Sequence, residues 1–240
     1  MVLPFFYISS YDAAVPELTL DEDNSRHIIQ VLRMQVGEEL RLTDGKGALL
    51  TATIIDDHKK KCRVRIGAIA TQPPPERTVT VAISPIKNAS RFEWFLEKAT
   101  EIGVGRIIPL LSERTERQHS KPERWQNILV SAMLQSRQAW LPVLAAPIAF
   151  SQLMAETANF AGRRFIAHCL EAPRPTASLA GLVQERRAIS SLILIGPEGD
   201  FTPLEVEDAL AKGFVPVTLG KNRLRTETAG IVAATLLCID

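Results

Sequence analysis

Apolar and polar residues are distributed differently in the two parts of this 240-residue chain. In residues 1–71 apolar positions alternate with polar ones over short runs, as in residues 39–43 and 62–66, which is typical of half-buried β-strands. Residues 44–47, Asp-Gly-Lys-Gly, separate two such runs and indicate a β-hairpin. Several short strands in one small region predict a β-barrel.

One helix is predicted among these strands. Thr19 and Glu22 have the spacing of a capping box, in which two side chains satisfy the free amide groups at a helix start. Ile28, Val31 and Leu32 follow at helical spacing and form an apolar stripe. We therefore expect a helix that is capped at Thr19 and carries this stripe on one face.

A run of three prolines at residues 73–75 marks a domain boundary. Proline cannot continue a helix or a central strand, and it favours extended backbone. The predicted domains are therefore residues 1–71 and residues 72–240. In the second domain, short apolar runs alternate with helical segments, which is typical of an α/β fold with a parallel sheet. The predicted strands cover residues 79–83, 106–111, 164–168, 192–195 and 215–219.

Capping residues mark the helix starts of the second domain. Ser90 and Glu93 have capping-box spacing before an apolar stripe, and a further helix is predicted over residues 125–136. Thr202 is followed by a proline at position 203 and a glutamate at position 205, a strong signal for a helix N-terminus. Residues 229–239 are apolar on nearly all sides, so this last helix is expected to be buried.

Composition narrows the possible functions only slightly. Hydrophobic residues make up 46% of the chain and charged residues 23%, which is ample for a core, and no apolar run is long enough to span a membrane. The net charge of +1 gives no general support for nucleic-acid binding, so any such surface must be local. Cys62, Cys169 and Cys238 form no close pair, which argues against a disulfide framework or a structural metal site and favours a reducing, cytoplasmic location.

Two loops near the C-terminus carry the strongest functional signal. Residues 196–200, Gly-Pro-Glu-Gly-Asp, and residues 219–226 each follow a predicted strand and precede a helix. Ligands bind beyond the carboxyl ends of strands in open α/β sheets, and glycine lets the backbone approach a ligand closely. Alone, the first loop fits an ordinary connection equally well and the second fits a solvated basic loop, but together they favour one pocket. Arg225 could hold a carboxylate or a phosphate there, and Thr226 is expected to cap the last helix.

Other polar segments are less specific. Residues 114–121 follow a strand and could track a phosphate backbone, although a surface loop explains them nearly as well. Residues 135–138 are similarly ambiguous, and His27 and Arg33 in the first domain are candidates for contact with RNA. The sequence contains no P-loop, no nucleophile elbow and no His or Cys spacing typical of a metal site.

These motifs resemble those of the RsmE family, which methylates N3 of a uridine in 16S ribosomal RNA and belongs to the SPOUT class of methyltransferases. The resemblance spans essentially the whole chain and is most specific near its end. At residues 134–138 this chain reads Leu-Gln-Ser-Arg-Gln, where many relatives have Glu-Gln-Ser-Gly-Arg. The resemblance rests on His27, on residues 31–33, on Gly37, on residues 44–47 and 98–103, on Pro109, on residues 112–114, on Gln135-Ser136, on Pro142, on residues 195–201, on Leu219-Gly220 and on residues 224–229.

The resemblance implies a PUA-like RNA-binding β-barrel, followed by an α/β SPOUT domain with a parallel sheet and a C-terminal trefoil knot. It also implies S-adenosylmethionine (SAM) as the cofactor and 16S rRNA within the small ribosomal subunit as the partner. The protein is expected to be a cytoplasmic homodimer that uses no metal and does not contact membranes. The residues expected to bind SAM are His168, Leu170, Glu171, Ile195, Gly196, Pro197, Glu198, Gly199, Leu219, Gly220, Leu224, Arg225 and Thr226.

The implied reaction requires a uridine whose N3 is exposed and has lost its proton, because a neutral imide nitrogen is a poor nucleophile. A cation beside the uracil carbonyls would stabilise the resulting anion. Arg225 is the first candidate for that cation, Arg114 or Arg137 of a second subunit are others, and Glu198 is the nearest candidate base. RNA contacts are expected from His27, Arg33, Arg114 and Arg117.

Three other functions fit parts of the same pattern. A SPOUT enzyme could act on another RNA target, such as tRNA or a ribose 2′-hydroxyl. A ribosome-assembly factor could keep the barrel without catalysis, although the intact residues 196–199 and 224–228 argue against it. A hydrolase using Glu198 in a phosphate-binding turn is disfavoured, because the metal or nucleophile that it would need is missing from the sequence pattern.

Overall fold

The computed structural model describes residues 3–116, 121–157, 160–169, 177–184 and 190–239. The chain forms two compact units. The first comprises Met1–Pro74 with Met133–Leu141, and the second comprises Pro75–Ala132 with Pro142–Asp240. The main division falls at the run of prolines, but the sequence pattern contains no sign that residues 133–141 belong with the first unit.

The first unit is built on a five-stranded sheet with the strand order β1-β3-β4-β5-β2. Strands β3, β4 and β5 form an antiparallel meander, and the predicted hairpin between β3 and β4 is confirmed. Leu40, Leu42, Leu50 and Ile54 are fully buried in one core, because alternate residues of a strand face the same side. The strands are β1 (Phe5–Tyr7), β2 (Glu17–Thr19), β3 (Glu39–Thr43), β4 (Ala48–Asp56) and β5 (Arg63–Thr71).

The helix of this unit starts later than predicted. Helix α1 spans Glu22–Arg26, and its N-cap is Asp21, whose carboxylate accepts a hydrogen bond of 2.8 Å from the Asn24 amide. Thr19 ends strand β2, so the predicted cap at Thr19 is wrong. Aspartate and threonine are both good N-cap residues, and here the aspartate lies next to the helix.

A π-helical turn at His27–Val31 follows α1 directly. Such a turn holds more residues than an α-helical turn, so apolar residues at α-helical spacing no longer share one face. Ile28 is fully buried, but 66% of Val31 and 43% of Leu32 are exposed. The predicted apolar stripe is therefore wrong beyond Ile28.

Residues 133–141 pack into the first unit beside the turn between β3 and β4. The Gly47 amide donates a hydrogen bond of 2.9 Å to the Ala139 carbonyl. Gly47 has a φ of 98°, and a Cβ there would come within 2.6 Å of the Trp140 ring. Glycine is therefore needed at position 47 both for the turn and for the close approach of this segment.

The second unit contains a parallel sheet of eight strands. Its order is β11-β13-β10-β12-β6-β7-β8, and β9 also pairs with β7. The five predicted strands are confirmed to within one residue at each end, whereas the short strands β8, β9 and β11 were not predicted. The strands are β6 (Val79–Ile83), β7 (Arg106–Leu111), β8 (Val143–Leu144), β9 (Ile148–Ala149), β10 (Arg163–Ala167), β11 (Ala177–Ser178), β12 (Ser191–Ile195) and β13 (Val215–Thr218).

Six further helices lie in the part of the chain that the structure describes. The predicted capping box of α6 is confirmed, because the Thr202 hydroxyl accepts from the Glu205 amide and the Glu205 carboxylate accepts from the Thr202 amide at 2.9 Å. No helix in the described ranges is long and apolar enough to cross a membrane. The helices are α2 (Ala89–Ile102), α3 (Pro122–Gln135), α4 (Phe150–Glu156), α5 (Leu179–Gln184), α6 (Pro203–Ala211) and α7 (Thr226–Cys238).

The capping box predicted at the start of α2 is wrong. The N-cap is Asn88, whose side chain accepts a hydrogen bond of 3.0 Å from the Ser90 amide. Glu93 instead forms a bidentate ion pair with Arg124, at 2.6 and 2.7 Å. The hydrogen bonds from this guanidinium lower the pKa of the Glu93 carboxyl. Glu93 therefore joins α2 to α3 and does not cap α2.

Candidate active site

A cavity of about 640 Å³ opens at the carboxyl ends of three neighbouring strands. Strand β10 lies between β12 and β13 in the sheet, so the residues that follow all three strands meet at one edge. This edge is where open parallel sheets bind ligands. The end of β10 contributes His168 and Cys169, the end of β12 contributes residues 195–198 and Asp200, and the end of β13 contributes residues 217–226.

Residues 196–200 form a tight turn after β12. A Cβ on Gly196 would come within 3.2 Å of the Phe201 ring, so there is little room for a larger residue. Asp200 has a left-handed backbone with a φ of 63°, which aspartate tolerates better than most residues other than glycine. Its carboxylate accepts hydrogen bonds from the Phe201 amide at 2.8 Å and from the Cys169 amide at 2.7 Å. The turn is thus joined to the loop after β10.

The loop after β13 is shaped by Thr218 and Gly220. The Thr218 hydroxyl donates a hydrogen bond of 2.8 Å to the Gly220 carbonyl. Gly220 has a φ of 144°, and a Cβ there would meet no atom within 4 Å, so this position faces open space. Helix α7 begins after Arg225, which is the N-cap and makes no capping hydrogen bond through its side chain. The predicted cap at Thr226 is therefore wrong, because Thr226 is the first residue of the helix and is buried.

Charged side chains of both signs border the cavity. Lys221, Arg223 and Arg225 are exposed cations on the loop after β13, and Glu198 is an exposed carboxylate on the turn after β12. The Arg223 guanidinium donates to the Glu198 carbonyl at 3.3 Å and so connects the two loops. The free amide groups at the start of α7 add positive potential beside Arg225. The site can therefore stabilise negative charge that develops on a bound group.

Arg114 reaches the edge of this group of loops from the end of β7. Its guanidinium donates a hydrogen bond of 2.7 Å to the Gly199 carbonyl. The neighbouring Glu113 amide donates to the Glu205 carboxylate at 2.9 Å. These two bonds attach the loop after β7 to the turn and helix that follow β12. Neither Arg114 nor Gly199 lines the cavity itself.

The remaining predicted site residues have other positions. His27, Arg33 and Arg137 belong to the first unit, and all three are exposed. Arg33 and Arg137 have left-handed backbones with φ values of 57° and 58°, which is uncommon for a residue other than glycine. The His27 ring packs edge-on against Phe6, with 5.7 Å between the ring centroids. Three predicted residues lie outside the part of the chain that the structure describes, namely Leu170, Glu171 and Arg117.

Sequence reasoning did not identify three polar groups of this site. Asp200, Thr218 and Arg223 each hold a cavity loop through a hydrogen bond between a side chain and the backbone. The only signal for them was their position within or beside the recognised motifs. No three His, Cys, Asp or Glu side chains come together as metal ligands would within the described ranges.

Comparison with protein families identifies a match along most of the chain. A model of the RNA methyltransferase domain matches residues 73–238, and a model of the RNA methyltransferase PUA domain matches residues 20–67. Over 219 residues the chain is 33% identical to ribosomal RNA small subunit methyltransferase E of Synechocystis sp.. This alignment covers 90% of the chain and 71% of the relative.

Two solved structures are similar over nearly their whole length. A protein from Porphyromonas gingivalis, described as a probable rRNA-methyltransferase, has a TM-score of 0.86 and 42% identity, with 97% of this chain and 95% of that chain covered. A ribosomal RNA small subunit methyltransferase E from Neisseria gonorrhoeae, solved with bound SAM, has a TM-score of 0.80 and 28% identity. That comparison also covers 97% of this chain and 95% of the other.

Proposed function

This chain belongs to the RsmE family of RNA methyltransferases, and from that premise we propose that it transfers a methyl group from SAM to N3 of one uridine in 16S rRNA. The observation that carries the proposal is the cavity formed by the loops after β10, β12 and β13. It combines a ligand-sized space with a lining of two glycine-containing loops and with a cation, Arg225, at the start of α7.

The residues around the cavity fit SAM. A volume of about 640 Å³ lies within the range of pockets that enclose small organic ligands. Gly220 leaves its surroundings open and lets a ligand approach the backbone, so we expect main-chain groups of Gly196, Leu219, Leu224 and Thr226 to bind the adenine and ribose. The Gly199 carbonyl already accepts a bond from Arg114, and we expect Gly199 to support the turn. His168, Ile195, Pro197, Leu170 and Glu171 complete the proposed set.

The chemistry assigns separate roles to two charged residues. Bound SAM supplies a methyl group that a nucleophile can attack. Arg225 is exposed at the cavity beside the start of α7, so its guanidinium would stabilise the uracil anion that remains after N3 loses its proton. Glu198 has an exposed carboxylate at the same cavity and is the proposed proton acceptor. Arg114 or Arg137 of a second copy is the alternative candidate for the stabilising cation; within one chain the Arg114 guanidinium is bonded to the Gly199 carbonyl.

The proposed substrate is the small ribosomal subunit in the cytoplasm. N3 lies on the pairing edge of uracil, so the target must be single-stranded or flipped out of a helix. His27 and Arg33 in the first unit, together with Arg114 and Arg117, are the proposed RNA contacts. A homodimer in which Arg137 of a second copy assists catalysis, and a trefoil knot in the C-terminal domain, stay predictions.

Methyl transfer under single-turnover conditions tests this function. Small subunits from cells that lack the modification are incubated with labelled SAM, and their rRNA is digested to nucleosides for mass spectrometry. We expect label in N3-methyluridine, and we expect Arg225→Ala to slow transfer by about 100-fold at saturating SAM, as when one oxyanion donor is removed. Arg106→Ala, at the opposite end of β7, is the matched control and should react like the wild type.

The nucleoside that carries the label separates the competing functions. Label in a 2′-O-methyl nucleoside would establish a methyltransferase with another target, and so would label in tRNA, offered in place of the subunits in a parallel reaction, when the rRNA takes up none. SAM binding without any transfer to RNA would contradict the enzymatic proposal. If Arg225→Ala reacts at the wild-type rate, the role of Arg225 is wrong even though the function stands.

A further inference from the structure

We propose that Asp200 is a positioning residue that fastens the loop after β10 to the turn after β12 and so holds the SAM cavity in its binding form. The inference rests on the proposed function of that cavity. Asp200 lies at the end of the turn, and each of its two carboxylate oxygens accepts a hydrogen bond from a different backbone amide. One amide belongs to Phe201, next in the chain, and the other to Cys169, 31 residues earlier.

The chemistry of these two bonds favours aspartate over other residues. The two donors bond to different carboxylate oxygens, and an asparagine has an acceptor oxygen on only one side of its amide and a donor on the other. Bonds from amides to a carboxylate are charge-assisted and roughly twice as strong as neutral ones. The backbone of Asp200 is left-handed, which costs free energy for any residue with a Cβ, and the two bonds offset that cost.

The cavity depends on this connection because its walls belong to separate loops. His168 and Cys169 line one side from β10, and Glu198 lines the other from β12. The turn is also held by Arg114 at the Gly199 carbonyl and by Arg223 at the Glu198 carbonyl. These two arginines belong to the loops after β7 and β13. Asp200 instead connects the turn to the loop after β10 through its hydrogen bond with the Cys169 amide. Loss of the Asp200 carboxylate would therefore free the Cys169 amide and loosen this side of the cavity, while Arg114 and Arg223 still hold the turn.

Three variants and one control test the role of Asp200. Asp200→Gly keeps a left-handed backbone without strain and removes both bonds, whereas Asp200→Asn retains one acceptor. Asp200→Ala removes both bonds and adds strain at a positive φ. Asp208→Asn, on the exposed face of α6, is the matched control. We expect the Kd for SAM to rise by about 10- to 100-fold in Asp200→Gly, since charge-assisted bonds are lost, and less in Asp200→Asn.

Hydrogen exchange distinguishes positioning from a general structural role. In Asp200→Gly the Cys169 amide should exchange at least about tenfold faster, because its acceptor is gone, while amides in the central strands β10 and β12 keep their protection. The urea midpoint of Asp200→Gly should stay close to that of the wild type. A fall in protection throughout the sheet would overturn the inference in favour of a structural role.

Ligand comparison separates positioning from direct contact with the cofactor. Methylthioadenosine lacks the amino-acid part of SAM. We expect Asp200→Gly to raise the Kd of both ligands by a similar factor. A loss confined to SAM would overturn the positioning role and would indicate that Asp200 contacts the amino-acid part directly. If the wild type binds SAM and Asp200→Gly binds it equally well, the inference fails while the proposed function stands. If the wild type does not bind SAM, the proposed function fails.

Discussion

Glu205 shows how one side chain can serve two segments of this protein. One carboxylate oxygen accepts from the Thr202 amide and completes the capping box of α6. The other accepts from the Glu113 amide in the loop after β7. The residue is largely buried, so both amides would lose their acceptor in a place with little access to water. The local half of this role was predictable from residue spacing, but the bond to Glu113 joins residues 92 apart and has no local signature.

The two functions of Glu205 predict unequal losses of stability. Thr202→Ala removes the cap alone and should lower the free energy of unfolding by about 1 kcal/mol. Glu205→Ala keeps the bond from the backbone amide of residue 205 to the Thr202 hydroxyl but leaves the Thr202 and Glu113 amides without their acceptor, and it should cost about 2 kcal/mol. Urea unfolding measures both, and Glu207→Ala on the exposed face of α6 is the control. Equal losses of unfolding free energy in Thr202→Ala and Glu205→Ala would mean that the bond to Glu113 does not contribute to stability.

At the scale of elements, sequence periodicity succeeded where a helix follows regular geometry. The sequence predicts an apolar stripe on α2 at Phe95, Leu96, Ala99 and Ile102, and the first three are fully buried while Ile102 is partly buried. It failed at His27–Val31, where a π-helical turn changes the spacing of the faces. Helices α4 and α5 were missed because each has only two turns or fewer, too short for a clear period.

Close packing of α7 predicts the effect of a single methyl group. Helix α7 approaches α2 and β6 at Gly230, where a Cβ would lie 2.7 Å from both Ile83 and Phe95. Gly230→Ala should therefore lower the free energy of unfolding by about 1–3 kcal/mol, although alanine favours helices. Gly181→Ala in α5 is the control, because a Cβ there meets no atom within 4 Å.

Thermal and urea unfolding of the two glycine variants decide this point. Gly181→Ala should be neutral or slightly stabilising, in contrast to Gly230→Ala. If both variants gain stability, helix propensity outweighs packing and the described approach of α7 is wrong.

At the scale of the whole molecule, folding protects the three thiols to different degrees from ionisation and alkylation. Burial raises the pKa of Cys62 to about 11, with the charges of Asp56 and Asp57 adding to it, and burial raises the pKa of Cys238 to about 12. Cys169 is exposed and lines the cavity. At pH 8 we expect one thiol per folded chain to react rapidly with iodoacetamide and all three to react in urea, and we expect SAM to slow the reaction at Cys169.

The same two pKa values give stability a defined dependence on pH. Both thiols ionise near pH 9 in the unfolded chain but only near 11 and 12 in the folded protein, so the folded state binds more protons in between. Their contribution is complete below pH 9 and is lost as the pH rises towards those values. Urea unfolding measures the loss of unfolding free energy between pH 8 and pH 10. This loss should be smaller in a Cys62→Ala, Cys238→Ala double variant than in the wild type. Equal losses of unfolding free energy in the double variant and the wild type would contradict the burial of Cys62 and Cys238.

Across the whole chain, the sequence predicted features that depend on neighbours in the chain better than features that depend on distant pairings. The two loops at residues 196–200 and 219–226 could be placed at strand ends, because glycine, proline and capping residues act locally. Two other features could not be predicted from the sequence. They are the hydrogen bond between Asp200 and Cys169 and the packing of residues 133–141 with the first unit, and each joins segments that only the complete fold brings together.

The central claim is that the loops after β10, β12 and β13 form the SAM site. A crystal structure of the protein grown with SAM tests it most directly. The account predicts SAM in this cavity, with its adenosine against the main chain of Gly196, Leu219 and Leu224. SAM bound at another place, or a cavity filled by the protein's own side chains in the presence of saturating SAM, would contradict it.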